Sequence, residues 1–173
     1  MLLEGIVAAI SLTLLLLLAC AAWHDIATRR LPDALSLAIL VAALALRGAE
    51  GPAALLFSLG SALILFIALF VLAMCRLLGG GDVKLAGALT VAFPPSAAWD
   101  FVVATSVFGG ILGLTYIGAS RLLQPAPILA GAQGPVARVL VIEAWRIRRR
   151  GPLPYAVAIA LGGAFILLGS PGL

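Results

Sequence analysis

Two aspartates interrupt an otherwise apolar chain in the same manner. Asp82 stands directly after Gly79-Gly80-Gly81 and two residues before Lys84, while Asp25 precedes Arg29, Arg30 and Pro32. A charge at or near membrane depth is costly, so it is normally buried against protein or water and marks a functional site. Two carboxylates sharing a low-dielectric site cannot both ionise cheaply; one keeps a proton and the other acts as a base. Such a pair can activate water. The ionised member takes a proton from water attacking a peptide carbonyl and the protonated member donates to the carbonyl oxygen, so neither metal nor nucleophilic side chain is required. The glycines before Asp82 permit close approach of a substrate backbone or of the first helix, which a side chain would block.

The elements that must position these residues follow from composition. Of 173 residues, 64% are hydrophobic and 10% charged, and the mean hydropathy is +1.22. That is too little polar surface for a soluble globule, so the expectation is an all-α, polytopic membrane protein. Apolar runs occupy nearly the whole chain, which predicts one transmembrane domain over residues 1–173. The net charge of +4 does not imply a nucleic-acid partner, because the basic residues flank apolar runs. They read as orientation signals and contacts to anionic lipid headgroups. With only Cys20, Cys75 and His24 available, neither a zinc site nor a disulfide framework is expected, and both cysteines read as small buried hydrophobes. No metal or cofactor is called for. Leu17-Leu18-Ala19-Cys20 has the look of a lipoprotein cleavage site, but the only charge before it is Glu4 and the first basic residues follow the run. A signal peptide needs the opposite arrangement.

Taken in order, Leu2 to Trp23 is long enough to span a hydrocarbon core of about 30 Å at ~1.5 Å per residue. A polar hinge follows from Asp25 to Asp33, in which Pro32 disfavours helix at Leu31 and Asp33 is placed to cap the next helix. The second helix runs to about Leu46 and ends in a turn over 47–51. The third starts at Pro52 and ends near Arg76. The fourth, from Asp82 to the Pro94-Pro95 stop, is roughly 21 Å long against a ~30 Å core, so if it reaches the far side Asp82 must lie below the near surface. The fifth runs from about Ala97 to Ser120. A cytoplasmic-side segment, 121–152, then contains a Pro/Gly/Ala loop over 124–135 and an interfacial amphipathic helix over 136–150, apolar on one side and arginine-rich on the other. A sixth spanning helix, from about Pro154 to Leu168, closes the chain.

If six helices cross, the loops after the first, third and fifth share a side. They hold ten of the eleven basic residues, and the opposite side holds Arg47 alone. The positive-inside rule makes that side cytoplasmic and puts both termini outside. Asp25 and Asp82, 57 positions apart, are thereby expected in one cytoplasmic-side layer.

Gly79-Gly80-Gly81-Asp82-Val83-Lys84-Leu85 resembles the GxGDxKL signature of type IV prepilin peptidases, within the GxGD intramembrane aspartic proteases. Asp25 through Pro32 resembles the other motif of that family, an aspartate followed by a basic hinge and Ile-Pro-Asn, with Leu31-Pro32-Asp33 in place of the last three. Pro154-Tyr155-Ala156, Ala158-Ile159-Ala160 and Gly162 are similar to a pattern near the end of these enzymes. The resemblance implies catalytic Asp25 and Asp82, with Gly79, Gly81, Lys84, Pro32, Arg29 and Arg30 in substrate-binding or supporting roles. It implies a prepilin or pseudopilin substrate, cut after a glycine between a short basic leader and an apolar helix, at a bacterial inner membrane. Longer members carry an extra stretch with paired CxxC motifs linked to N-methylation; this sequence looks like the short, peptidase-only form of tight-adherence (Flp-type) pilus systems.

Plainer readings stand beside these. Asp82 can cap a helix, and Asp25 can balance Arg29 and Arg30 in a solvated turn. Lys84 can orient a substrate or an aspartate, or simply reach the headgroups. A channel or transporter handling protons at a helix break, or an inactive subunit of a secretion complex, would also accommodate two aspartates.

Overall fold

From Val7 to Leu31 the sequence has neither glycine nor proline, and one helix, α1 (Leu2–Thr28), runs through most of it. The hinge expected from Asp25 onward therefore begins later: Asp25 lies in the last turns of α1. The turn is held by Thr28 Oγ1 donating to the His24 carbonyl at 2.9 Å and by the Arg29 N–H on the Asp25 carbonyl at 2.8 Å. The break comes at Arg29, whose φ of 57° is the left-handed conformation that commonly ends helices. In this computed structural model, residues 2–122, 134–149 and 151–169 are described. The rest of the loop expected over 124–135, up to residue 133, and Arg150 lie outside them.

Six further helices follow among the described residues: α2 (Asp33–Glu50), α3 (Pro52–Met74), α4 (Gly80–Thr90), α5 (Pro95–Leu122), α6 (Pro135–Arg148) and α7 (Tyr155–Gly169). The turn expected over 47–51 is shorter than expected, since α2 continues to Glu50 and only Gly51, at φ 119°, breaks the chain. Arg47 stays helical because it pairs with Glu50 one turn on and donates Nε to Ser58 Oγ of α3 at 2.9 Å. Pro32, at φ −63° and ψ 134°, is the N-cap residue of α2. Asp33 is thus the first helical residue rather than the expected cap.

By length and composition, α1, α3 and α5 can each cross a membrane, and α7 is a shorter apolar helix. The outward face of α3 agrees with this, exposing Leu56, Phe57, Ile64, Phe70 and Met74. A continuous apolar surface of this kind belongs against lipid. The chain is a membrane protein.

Lipid is as apolar as leucine, so helix association here rests on close packing more than on removal from water. Small residues make that packing possible. On α7, Ala156, Ala158, Ala160, Gly162 and Gly163 are all buried, and this short helix packs against α1, α4 and α5. A Cβ on Gly163 would come within 2.4 Å of Leu89 Cδ2, and one on Gly162 within 2.9 Å of the Thr105 backbone nitrogen. Around it, Leu14 and Leu18 of α1, Leu85 and Leu89 of α4 and Phe101 of α5 are almost fully buried. The result is a centre formed by α4 and α7, which are too close to their neighbours to shift independently. Cys20 and Cys75 do not join it. Both are free and exposed, contrary to expectation, because each falls on a face turned away from the packed centre.

Candidate active site

Asp25 is buried, 7% exposed, where the end of α1 meets the start of α7. The backbone N–H of Ala156 donates to Asp25 Oδ2 at 3.1 Å. This amide belongs to the first turn of α7, where N–H groups have no partner within their own helix and the helix dipole favours a carboxylate. Asp82 lies in the first turn of α4. A Cβ on Gly79 would fall 2.9 Å from Asp82 Oδ2, whereas one on Gly80 would meet open space and one on Gly81 would make an ordinary contact with Leu31 Cβ at 3.4 Å. Of the three glycines, Gly79 is the one whose missing side chain makes room for the carboxylate.

Both aspartates line one cavity of about 620 Å³, together with Arg29, Gly79 and Tyr155 and an apolar wall that includes Leu72, Leu77 and Leu153. Asp82 feels the charge of Asp25, and Asp25 in turn feels those of Arg29, Glu143 and Arg146. A second, apolar slot of about 220 Å³ opens between α3 and α5 and shares Leu72, Leu78, Asp82 and Tyr155 with the first. The arrangement offers two interacting carboxyl groups at one end of a cleft whose continuation suits apolar side chains.

The other residues singled out in the sequence are dispersed. Arg29 reaches the cavity wall and also pairs with Glu143 of α6. Arg30 is exposed, and its carbonyl accepts from Thr28 Oγ1 at 3.1 Å and lies 2.6 Å from His24 Nδ1. His24, within the last turns of α1, thus reaches the turn that follows the helix, and it does not line the aspartate cavity. Pro32 serves the start of α2. Lys84 Nζ donates to Asp33 Oδ1 at 2.7 Å in an exposed pair outside the aspartate cavity, joining α4 to α2. Among the described residues, no group of three or more His, Cys, Asp or Glu side chains could hold a metal ion.

A model of the type IV leader peptidase family matches residues 12–114, more than half of the chain. The chain belongs to the type IV leader peptidase family. No curated protein and no solved structure matches it. The stretch matched by this peptidase family holds Asp25, Arg29, Gly79 and Asp82. Two groups that hold the site together lie beyond it: the Ala156 amide and Glu143. The first belongs to a segment whose Pro-Tyr-Ala pattern stands out in the sequence. Glu143 gives a weaker signal, as the only acid among five arginines between residues 135 and 150.

Proposed function

We propose that the chain is a membrane-embedded aspartic endopeptidase that removes the basic leader from a prepilin or pseudopilin at the cytoplasmic face of a bacterial inner membrane. The observation that carries this reading is the shared cavity of Asp25 and Asp82, residues 57 positions apart in a chain of a leader peptidase family. The adjoining apolar slot supports a substrate whose scissile bond borders an apolar segment. The arginine-rich α6, with Val136, Leu140 and Trp145 exposed, suits the boundary of an anionic membrane. Six crossings, with both termini outside, would place the cavity on the cytoplasmic side. A substrate of the Flp type is the one that the resemblance of the sequence to the peptidase-only form implies.

In this mechanism Asp25, beside Arg29 and holding the α7 amide, is the base. It takes a proton from water as the oxygen attacks the scissile carbonyl carbon, and Asp82 gives its proton to the carbonyl oxygen. The resulting diol collapses, the C–N bond breaks, and the proton held by Asp25 passes to the leaving amine while Asp82 recovers its own. Each carboxyl ends as it began, and no metal is consumed or required. A dyad of this kind titrates as a unit and gives a bell-shaped dependence of rate on pH.

Co-expression with a candidate Flp-type prepilin tests the reading. Asp25→Asn and Asp82→Asn should each abolish the mature product at unchanged protein level. Normal cleavage by either variant removes the paired-aspartate mechanism, and ion-dependent flux in vesicles without cleavage would favour a transporter.

A further inference from the structure

The cavity contains Asp25, but what fixes the turn that carries Asp25 lies on another helix. α1 ends only three residues later, and the last carbonyls of a helix have no partner within it. Two of them are taken by α6: Arg146 Nη1 donates to the Ile26 carbonyl at 2.7 Å and Nη2 to that of Ala27 at 3.5 Å. Next along the chain, Arg29 keeps a left-handed backbone, which a residue with a side chain holds only when its surroundings impose it.

One carboxylate organises these contacts. Glu143, 7% exposed, accepts from Arg29 Nη2 and from the Tyr116 hydroxyl at Oε1, and from Arg146 Nη1 at Oε2 at 3.3 Å. Arg29 Nε and Nη1 are buried with no hydrogen-bond partner among the described residues, so the guanidinium is anchored through Nη2 alone, by Glu143 and by the Tyr116 hydroxyl at 3.5 Å. Asp25, on the same cavity, is a second carboxylate that feels the Arg29 charge.

We infer that Glu143 is a positioning residue for cleavage: by binding Arg29 and Arg146 it clamps α6 onto the end of α1 and sets Asp25 opposite Asp82. The inference rests on the aspartic-peptidase reading above. It gives a task to a helix outside the family match, and it explains why an acid is buried in a segment otherwise rich in arginine. Without the Glu143 charge, Arg29 loses its anchor and is free to turn toward Asp25, while Arg146 loses the partner that aims it at the α1 carbonyls. Misplacing a reacting group by about 1 Å costs on the order of 100-fold in rate.

The test uses the whole chain in phosphatidylglycerol-containing vesicles, with a substrate made of a short basic leader joined through glycine to an apolar helix. Glu143→Gln, which keeps size and an acceptor oxygen, should lower kcat about 10- to 100-fold and leave KM within about 3-fold. Arg146→Gln should do the same from the far side of the contact, which covers the case in which Glu143→Gln fails to accumulate. Combining Glu143→Gln with Arg29→Gln should cost no more than the worse single change, since residues acting through one contact are non-additive. Wild-type kcat per folded enzyme in the accumulating variants, a change confined to KM, or additive losses each overturn the clamp. Asp25→Asn in the same assay separates the two levels. If it is inactive while Glu143→Gln has wild-type kcat, the clamp alone is wrong; if it cleaves normally, the aspartic reading is wrong and takes the inference with it.

Discussion

The backbone N–H of Ala156 donates to Asp25 Oδ2 at 3.1 Å, across 131 positions of sequence. One contact thus serves two purposes. It satisfies an amide in the first turn of α7 that has no partner within its own helix, and it aims one candidate catalytic carboxylate from a backbone that cannot rotate away. Because α7 is wedged among α1, α4 and α5, the position of that amide is set by the packed centre of the protein.

This double duty separates activity from stability at Asp25. Asp25→Asn keeps an oxygen able to accept from Ala156, so the variant should unfold within a few degrees of wild type while losing all cleavage. Asp25→Ala leaves the amide buried and unpaired, which costs about 1–3 kcal/mol. Thermal unfolding in detergent should place Asp25→Ala clearly below Asp25→Asn; equal midpoints would mean that the contact contributes nothing to the fold.

The three glycines before Asp82 should behave unequally. A Cβ at Gly79 would sit 2.9 Å from Asp82 Oδ2, and one at Gly80 would touch nothing within 4 Å. Gly79 has φ −73° and ψ 140°, which any residue tolerates, and the atom in the way is the tip of a side chain. Gly79→Ala should therefore fold normally and displace the Asp82 carboxylate, lowering kcat about 10- to 100-fold. Gly80→Ala should leave kcat within about 3-fold. Initial-rate measurements on both decide the matter, and equal activities would show that Asp82 does not need the space that Gly79 provides.

That Asp25 and Asp82 come together was open to a sequence argument because charges sort loops in a way that needs no knowledge of packing. If six helices cross, ten basic residues on one side put both aspartates at the same level; what the structure shows is that both line one cavity. What escaped the sequence depends on contacts between distant segments. Asp25 through Thr28 look like part of a polar hinge because His24 and Asp25 stand just before Arg29 and Arg30, yet nothing in them breaks a helix until Arg29 turns left-handed. Asp33 resembles a cap, but Pro32 takes that place and Asp33 is drawn to Lys84, 51 residues away. Glu143 reads as one polar residue on an amphipathic helix; only the fold shows that its side is the buried one.

Lys84 is the charge in the glycine-rich stretch that pairs outside the aspartate cavity. Its pair with Asp33 is exposed, at 54% and 79% for the two side chains, and exposed ion pairs contribute about 0–1 kcal/mol. Lys84→Gln should hold the unfolding midpoint within a few degrees and retain cleavage within about 3-fold. A loss of 100-fold at unchanged stability would instead put Lys84 in contact with substrate, in the role that the family signature implies for it.

Gly162 and Gly163 give the last test, because they adjoin in sequence and face different kinds of neighbour. A Cβ on Gly163 would meet Leu89 Cδ2 at 2.4 Å and Leu18 Cδ1 at 3.3 Å, both ends of side chains. One on Gly162 would meet Thr105 Oγ1 at 2.4 Å, the Thr105 nitrogen at 2.9 Å and its Cα at 3.0 Å. Side-chain ends can turn aside, but backbone atoms of α5 move only with the helix. Overpacking of a tight interior costs about 1–3 kcal/mol, and Gly162→Ala should fall at the upper end of that range and Gly163→Ala at the lower. Separating α7 from α5 also carries the Ala156 amide away from Asp25, so Gly162→Ala should lose about 10-fold in kcat per folded enzyme, the scale expected of a sub-ångström displacement. Unfolding midpoints and single-turnover rates on the two variants measure both effects. A Gly162→Ala enzyme that is less stable yet turns over at the wild-type rate would show that Asp25 is aimed from α1 and α6 alone, independently of where α7 sits.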